Sequence, residues 1–322
     1  VSAAEKFQSL FVTLAALAGL GLGLALPVGP AAGHAVLPAL MLLLTAVFAQ
    51  VDAGRVRAAR SARTVVAASL VLNFGFTPLL AWALGAGLLG GSPDLRVGLL
   101  LLLVTPCTDW YLVFTGLARG HMGVAAAVLP VNLVLQLLLL PVYVLLLGGE
   151  AAMVDAGTLV EAVLLVLVVP LVLAVALREG ARRWKGRSWR DAVLVPRANA
   201  VVLPLLYTAV LAVFAWQART VLGHLGDLVA LLPALAVFFT VAPLAAVSAA
   251  RLLRLPDDQR ATLTMTSVAR NSPIALAVAV AAFPDRPLIA VALVAGPLVE
   301  LPVLALLSQL VRVHSGAPRS TA

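Results

Sequence analysis

Ten stretches of this chain are long and apolar enough to cross a membrane, and that succession constrains the fold more than any other feature. Runs of about 20 apolar residues fall near 7–27, 34–51, 64–90, 95–119, 122–147, 158–178, 196–218, 227–252, 259–283 and 287–311. Lipid offers no hydrogen bonds, so each run must satisfy its backbone internally, which predicts an all-α polytopic membrane protein. Composition agrees. Hydrophobic residues make up 62% of the chain and charged residues 11%, and the mean hydropathy is +1.09, outside the soluble globular range.

A net charge of +8 would suggest nucleic acid for a soluble protein, but here the basic residues sit in short loops between apolar runs and act as orientation signals. With the N-terminus on side one, that side collects eighteen Lys and Arg, against Arg96, Arg219 and Arg286 on the other. Both termini are therefore expected in the cytoplasm, in a bacterial-type inner membrane, with lipid and not nucleic acid as the surrounding partner. The first run is a full span without a small-residue cleavage pattern, so no cleavable signal peptide is expected. The single cysteine, Cys107, excludes an internal disulfide framework. His34, His121, His224 and His314 are scattered without metal-ligand spacing, so no resident metal is expected. No phosphate-binding glycine loop is present, and no cofactor is expected. Cys107 has no histidine within sequence reach to act as its base, which argues against an enzyme.

The basic stretch "REGARRWKGRSWR" at 178–190 reads as a long cytoplasmic loop between two halves. Sliding the chain on itself by 164 residues places "CTD" (107–109) on "NSP" (271–273) and Gln136 on Glu300. The expected organisation is a first five-span repeat over 1–148 and a second over 158–312. Residues 149–195 hold an external loop, span six and the basic loop, and 313–322 form a disordered cytoplasmic tail. Odd span numbers make the repeats inverted, as in secondary transporters, whose broken helices mark the binding site. Here spans four and nine both carry a proline or polar cluster in mid-membrane, and the freed backbone groups must face protein, water or ligand. Pro106 and Pro273 would otherwise be simple kinks; their polar neighbours favour a site, since buried charge at bilayer depth costs at least about 2.5–3.5 kcal/mol.

The stretches "TPCT" (105–108), "GLARG" (116–120), "NSPIALAVAVA" (271–281) and "GPLVELPVLALL" (296–307) resemble the bile acid/arsenite/riboflavin transporter superfamily, most closely its arsenite-permease branch. The resemblance runs through the ten spans and is specific in spans four, nine and ten. It implies a core domain built on crossing discontinuous helices, spans four and nine, and a panel of spans one, two, six and seven. It also implies that Cys107 and Glu300 serve the movement of trivalent arsenic. A soft thiophilic ion suits a thiol, and one thiol binds weakly enough to release it.

Two departures from the family bear on coupling and cargo. Where sodium-coupled members carry cation ligands, this chain has Thr266 and Arg270, and Tyr111 and Leu112; a guanidinium at a sodium position argues against sodium. Typical arsenite permeases also carry a glutamate where Pro273 stands, while here an acid, Asp109, occupies the repeat-related position. Asp109 is expected to pair with Arg270 across the crossing, because paired charges are far cheaper at that depth than lone ones. The bulkier "DWY" at 109–111 leaves open an organic arsenical or antimonite as cargo.

The expected substrate-binding residues are thus Cys107, Asn271, Ser272, Asp109, Trp110 and Tyr111, with Glu300 and Asp109 as proton carriers. All but Asp109 have a plainer reading: Cys107 as a buried hydrophobe, Trp110 and Tyr111 as packing, Asn271 and Ser272 as helix caps, and Glu300 as an acceptor for backbone freed by Pro297 and Pro302. Asn73, Asn132 and Gln136 stand second, interhelical hydrogen bonding being their default role. The function expected is proton-coupled efflux of trivalent arsenic or antimony species. The alternative is transport of a small organic anion or metabolite on the same fold, with Arg270 neutralising the anion.

Overall fold

The computed structural model describes residues 8–50, 62–107, 110–149 and 156–315. Among them the chain is helical, and the one extended pairing is an isolated bridge between Pro106 and Arg270. The helices are α1 (Gln8–Ala25), α2 (Gly29–Phe48), α3 (Arg63–Leu88), α4 (Pro93–Val104), α5 (Trp110–Leu117), α6 (Met122–Leu147), α7 (Ala156–Val163), α8 (Val169–Trp189), α9 (Val195–Trp216), α10 (Ala218–Gly223), α11 (Leu225–Leu252), α12 (Asp257–Val268), α13 (Ser272–Ala282) and α14 (Pro287–Ser315). Among the described residues, six helical runs are long and apolar enough to span a membrane, and Leu10–Ala25 and Ser272–Ala282 are shorter apolar helices.

Polarity is inverted relative to a soluble protein. Leu138, Leu146 and Leu244 are exposed, whereas Asn73, Asn132, Gln136, Arg270 and Glu300 are buried. Such a molecule meets lipid on its outside and keeps its polar groups in its middle.

Proline shapes the elements without ending most of them. Pro130 and Pro141 lie inside α6, and Pro233 and Pro243 inside α11. In α3 the ladder widens to a π turn at Leu72–Phe76, just before Pro78. The Tyr143 hydroxyl donates to the Phe74 carbonyl at 2.5 Å, satisfying one of the backbone groups that such a turn displaces.

The basic stretch expected as a loop is instead helical as far as Trp189, with the chain turning at Gly186 (φ +86°). Its arginines, lysine, alanine and glutamate are helix formers, and Glu179 accepts from Arg182 at 2.7 Å and Arg183 at 2.8 Å, one turn on. These guanidiniums hold the Glu179 carboxyl down to about 2. The clasp is therefore present above the ordinary glutamate range and is lost only as pH falls through that value.

Helix α9 lies against α1 and α2, and α8 against α2. This group meets the rest through α13 on α2 and α14 on α1. The α1–α9 contact is close because Gly19 and Gly23 stand one turn apart: a methyl at either would overlap the backbone carbonyl of Leu211 or Ala215. Small residues at this spacing let membrane helices approach. Gly23→Val is expected to cost about 1–3 kcal/mol by overpacking, read as a lower melting temperature in detergent, whereas Gly21→Val, which meets nothing within 4 Å, should be neutral.

Candidate functional site

Two helices stop in the middle of the molecule and their ends meet. Helix α4 ends at Val104, and Thr105 turns extended (φ −103°, ψ 93°) ahead of Pro106. Helix α12 ends at Val268, and Ala269 does the same (φ −70°, ψ 137°) ahead of Arg270. The two extended segments run antiparallel: the Cys107 N–H donates to the Ala269 carbonyl at 3.0 Å, and the Asn271 N–H donates to the Thr105 carbonyl at 2.7 Å. The breaks after Val104 and Val268 therefore satisfy part of each other's backbone.

A helix that ends in a dry interior leaves its last carbonyls without donors. Arg270, 1% exposed, answers this for both helices at once. Its Nη1 donates to the Leu103 carbonyl of α4 at 2.8 Å, its Nε to the Val268 carbonyl of α12 at 3.2 Å, and its Nη2 to the Ser267 carbonyl and to Asn73 Oδ1 at 2.9 Å. The guanidinium also lies 5.3 Å from the Phe238 ring centroid, a cation–π contact. Thr105 Oγ1 bonds the Leu101 and Leu102 carbonyls at 2.9 and 3.0 Å, and Asn73 Nδ2 donates to Thr266 O at 3.1 Å. A positive charge thus sits where two helix C-termini, the negative ends of their dipoles, converge.

Around this centre the expected residues separate by role. Cys107 is buried, and both it and Glu300 are within electrostatic reach of the Arg270 guanidinium. Glu300, on α14, accepts the Arg270 backbone N–H at 2.7 Å. Asn271 caps α13, its side chain accepting from the Ile274 N–H at 3.2 Å. The Ser272 hydroxyl is buried without a hydrogen-bond partner, as is that of Ser267. Tyr111 is buried and donates to the Ala125 carbonyl at 2.6 Å, tethering α5 to α6. Asp109 lies outside the described residues, as does the side chain of Trp110, so the pairing of Asp109 with Arg270 falls there too. Asn132 and Gln136 share one face of α6, buried, with neither amide bonded.

Sequence reading expected interhelical bonding for Asn73 but missed its partners Ser69 and Thr266: Asn73 Nδ2 also donates to Ser69 Oγ at 3.2 Å and Ser69 Oγ to Thr266 Oγ1 at 3.4 Å. It also missed Phe238. A lone asparagine in an apolar run was the only signal, and it did not say which helix it faced.

Two helix ends that meet at a buried polar centre, in a bundle whose outside is apolar, are the arrangement of a membrane transporter's site. The chain belongs to the sodium bile acid symporter family, whose model matches residues 37–224. It is 27% identical to the arsenical-resistance protein Acr3 of Corynebacterium glutamicum, over 94% of this chain and 87% of that protein. It is likewise 27% identical to the arsenical-resistance protein Acr3 of Alkaliphilus metalliredigens, over 66% of this chain and 59% of that protein. An uncharacterized transporter of Synechocystis is 23% identical over 95% of this chain and 88% of its own length.

Proposed function

We propose that this protein exports trivalent arsenic or antimony species in exchange for protons, through a site at the helix crossing that contains Cys107. The observation that carries the reading is the position of the chain's one thiol: Cys107 stands in the break of span four, buried and hydrogen-bonded through its N–H to the break of span nine. The likeness to two arsenical-resistance proteins supports the cargo.

Ten crossings in two inverted repeats belong to the same reading, with α4 plus α5 and α12 plus α13 each counting as one broken span. Supporting this, the bridge pairs Pro106 with Arg270, which are 164 residues apart. Its two hydrogen bonds, Cys107 to Ala269 and Asn271 to Thr105, exchange under that same offset, as a two-fold axis through the bridge requires. Both termini face the cytoplasm, and Asp109 is a further countercharge for Arg270.

Neutral trihydroxide enters from the cytoplasm and meets Cys107. The thiol displaces one hydroxyl: an As–S bond forms, an As–O bond breaks, and the thiol proton leaves with the hydroxide as water. Arsenic stays trivalent, and water reverses the step on the outer side. Glu300 links protons to the crossing. Its carboxylate accepts the Arg270 N–H, so protonation removes a negative charge from beside the residue that ties the two half-helices together.

Sodium is not the coupling ion in this reading, because the Arg270 guanidinium already holds the carbonyl ends of α4 and α12, a place where half-helix C-termini hold cations in other transporters. An organic anion is served less well, since the same guanidinium donors point at protein carbonyls. Cys107→Ser keeps the volume and the backbone pairing but removes the soft ligand. It is expected to abolish arsenite resistance in a host lacking its own exporters while protein level in the membrane is unchanged. Undiminished resistance would remove the thiol from the mechanism.

A further inference from the structure

The two repeats treat the crossing differently, and the difference exposes a pair of side chains. In the second repeat Glu300 accepts the backbone N–H of the bridge residue Arg270 at 2.7 Å. The residues 164 positions earlier are Gln136 and Pro106. Proline has no N–H, so the bond that Glu300 makes has no counterpart in the first repeat. Gln136, 1% exposed, has neither its oxygen nor its nitrogen bonded, and Asn132, one turn earlier and fully buried, is in the same condition. Their helix, α6, packs on α4, α5 and α12, the half-helices that form the crossing.

Four amide atoms buried without partners are rare, and each unsatisfied group costs about 1–3 kcal/mol. Two amides on one helix face, i and i+4, present two acceptor oxygens and two donor nitrogens but no charge. Such a pair matches hydroxyl groups, each both a donor and an acceptor, because both ends of each amide are then used; a cation would use only the oxygens and an anion only the nitrogens.

We propose that Asn132 and Gln136, left unpaired because Pro106 lacks the amide hydrogen that Arg270 supplies to Glu300, form a subsite for the hydroxyl groups of a neutral, polyhydroxylated ligand. The proposal rests on the reading of Cys107 above and deepens it. When the thiol displaces one hydroxyl of arsenous acid, As(OH)₃ gives a bound S–As(OH)₂ and one water. The two remaining hydroxyls are the groups that the two amides hold.

The test compares two trivalent arsenicals on the purified full-length protein. Arsenous acid keeps two hydroxyls after thiol exchange, and dimethylarsinous acid keeps none. Gln136→Leu and Asn132→Leu are each expected to weaken arsenous acid binding about tenfold, the loss of one hydrogen bond, and to leave dimethylarsinous acid binding unchanged. Both should hold or raise the melting temperature, since each removes a buried amide without partners; a purely structural role would lower it. Pro106→Ala returns the N–H to Gln136 and is expected to weaken arsenous acid selectively as well. Arsenous acid binding equal to wild type in both leucine variants overturns the subsite, as does an equal loss for both arsenicals. The Cys107 reading fails separately, if Cys107→Ser leaves dimethylarsinous acid binding intact.

Discussion

Arg270→Leu is expected to leave little protein in the membrane. The guanidinium supplies hydrogen bonds to carbonyls of α4 and α12 and to Asn73, and leucine supplies none. Each carbonyl left bare in a dry interior costs about 1–3 kcal/mol. Removing one partner of a buried charge network costs about 3–5 kcal/mol, a large share of a total stability of about 5–15 kcal/mol. Arg270→Lys keeps the charge but not the planar fork that reaches two helix ends together, so intermediate accumulation and a lower melting temperature are expected. Membrane yield by immunoblot and thermal unfolding in detergent check both. An Arg270→Leu protein that accumulates and transports like wild type would refute the capping role.

Glu300→Gln is expected to separate folding from function. Glutamine keeps a carbonyl oxygen where the Arg270 N–H donates, so yield and melting temperature should stay near wild type. It carries no exchangeable carboxyl proton. Arsenite accumulation driven by a pH gradient should therefore vanish, and any residual flux should no longer respond to the gradient. Glu300→Leu, which removes the acceptor as well, should lose both the fold and the flux. A glutamine variant with wild-type pH-driven transport would leave Glu300 as a backbone cap alone.

Both breaks were legible in the sequence because proline and polar residues stand out inside apolar runs: Pro106 with Cys107, and Asn271 with Ser272 and Pro273. The bridge joins residues 164 positions apart, the separation on which the proposed repeat rests. The surroundings of Arg270 were not legible. Its partners are mostly main-chain carbonyls, which every residue carries, so no residue type announces them; an acid such as Asp109 was the only partner that sequence could suggest. The stretch 178–190 misled for a different reason. Its charge density reads as a loop in a hydropathy trace, but charge does not oppose helix once α8 has passed the lipid, and Glu179 with Arg182 and Arg183 favours it. Interhelical bonding was the default for three asparagines and glutamines, and it holds for Asn73 but not for Asn132 or Gln136. Alone, the sequence of α6 cannot reveal whether either amide meets a partner, because that depends on which residue of another helix stands opposite.

The most direct test of the whole account is arsenite uptake by everted membrane vesicles, in sodium-free medium, with an imposed pH gradient. Wild-type vesicles acidified inside should accumulate arsenite and lose it when a protonophore collapses the gradient, and Cys107→Ser vesicles should do neither. Accumulation that ignores the gradient, or that requires sodium, would contradict a proton-coupled thiol site at the helix crossing.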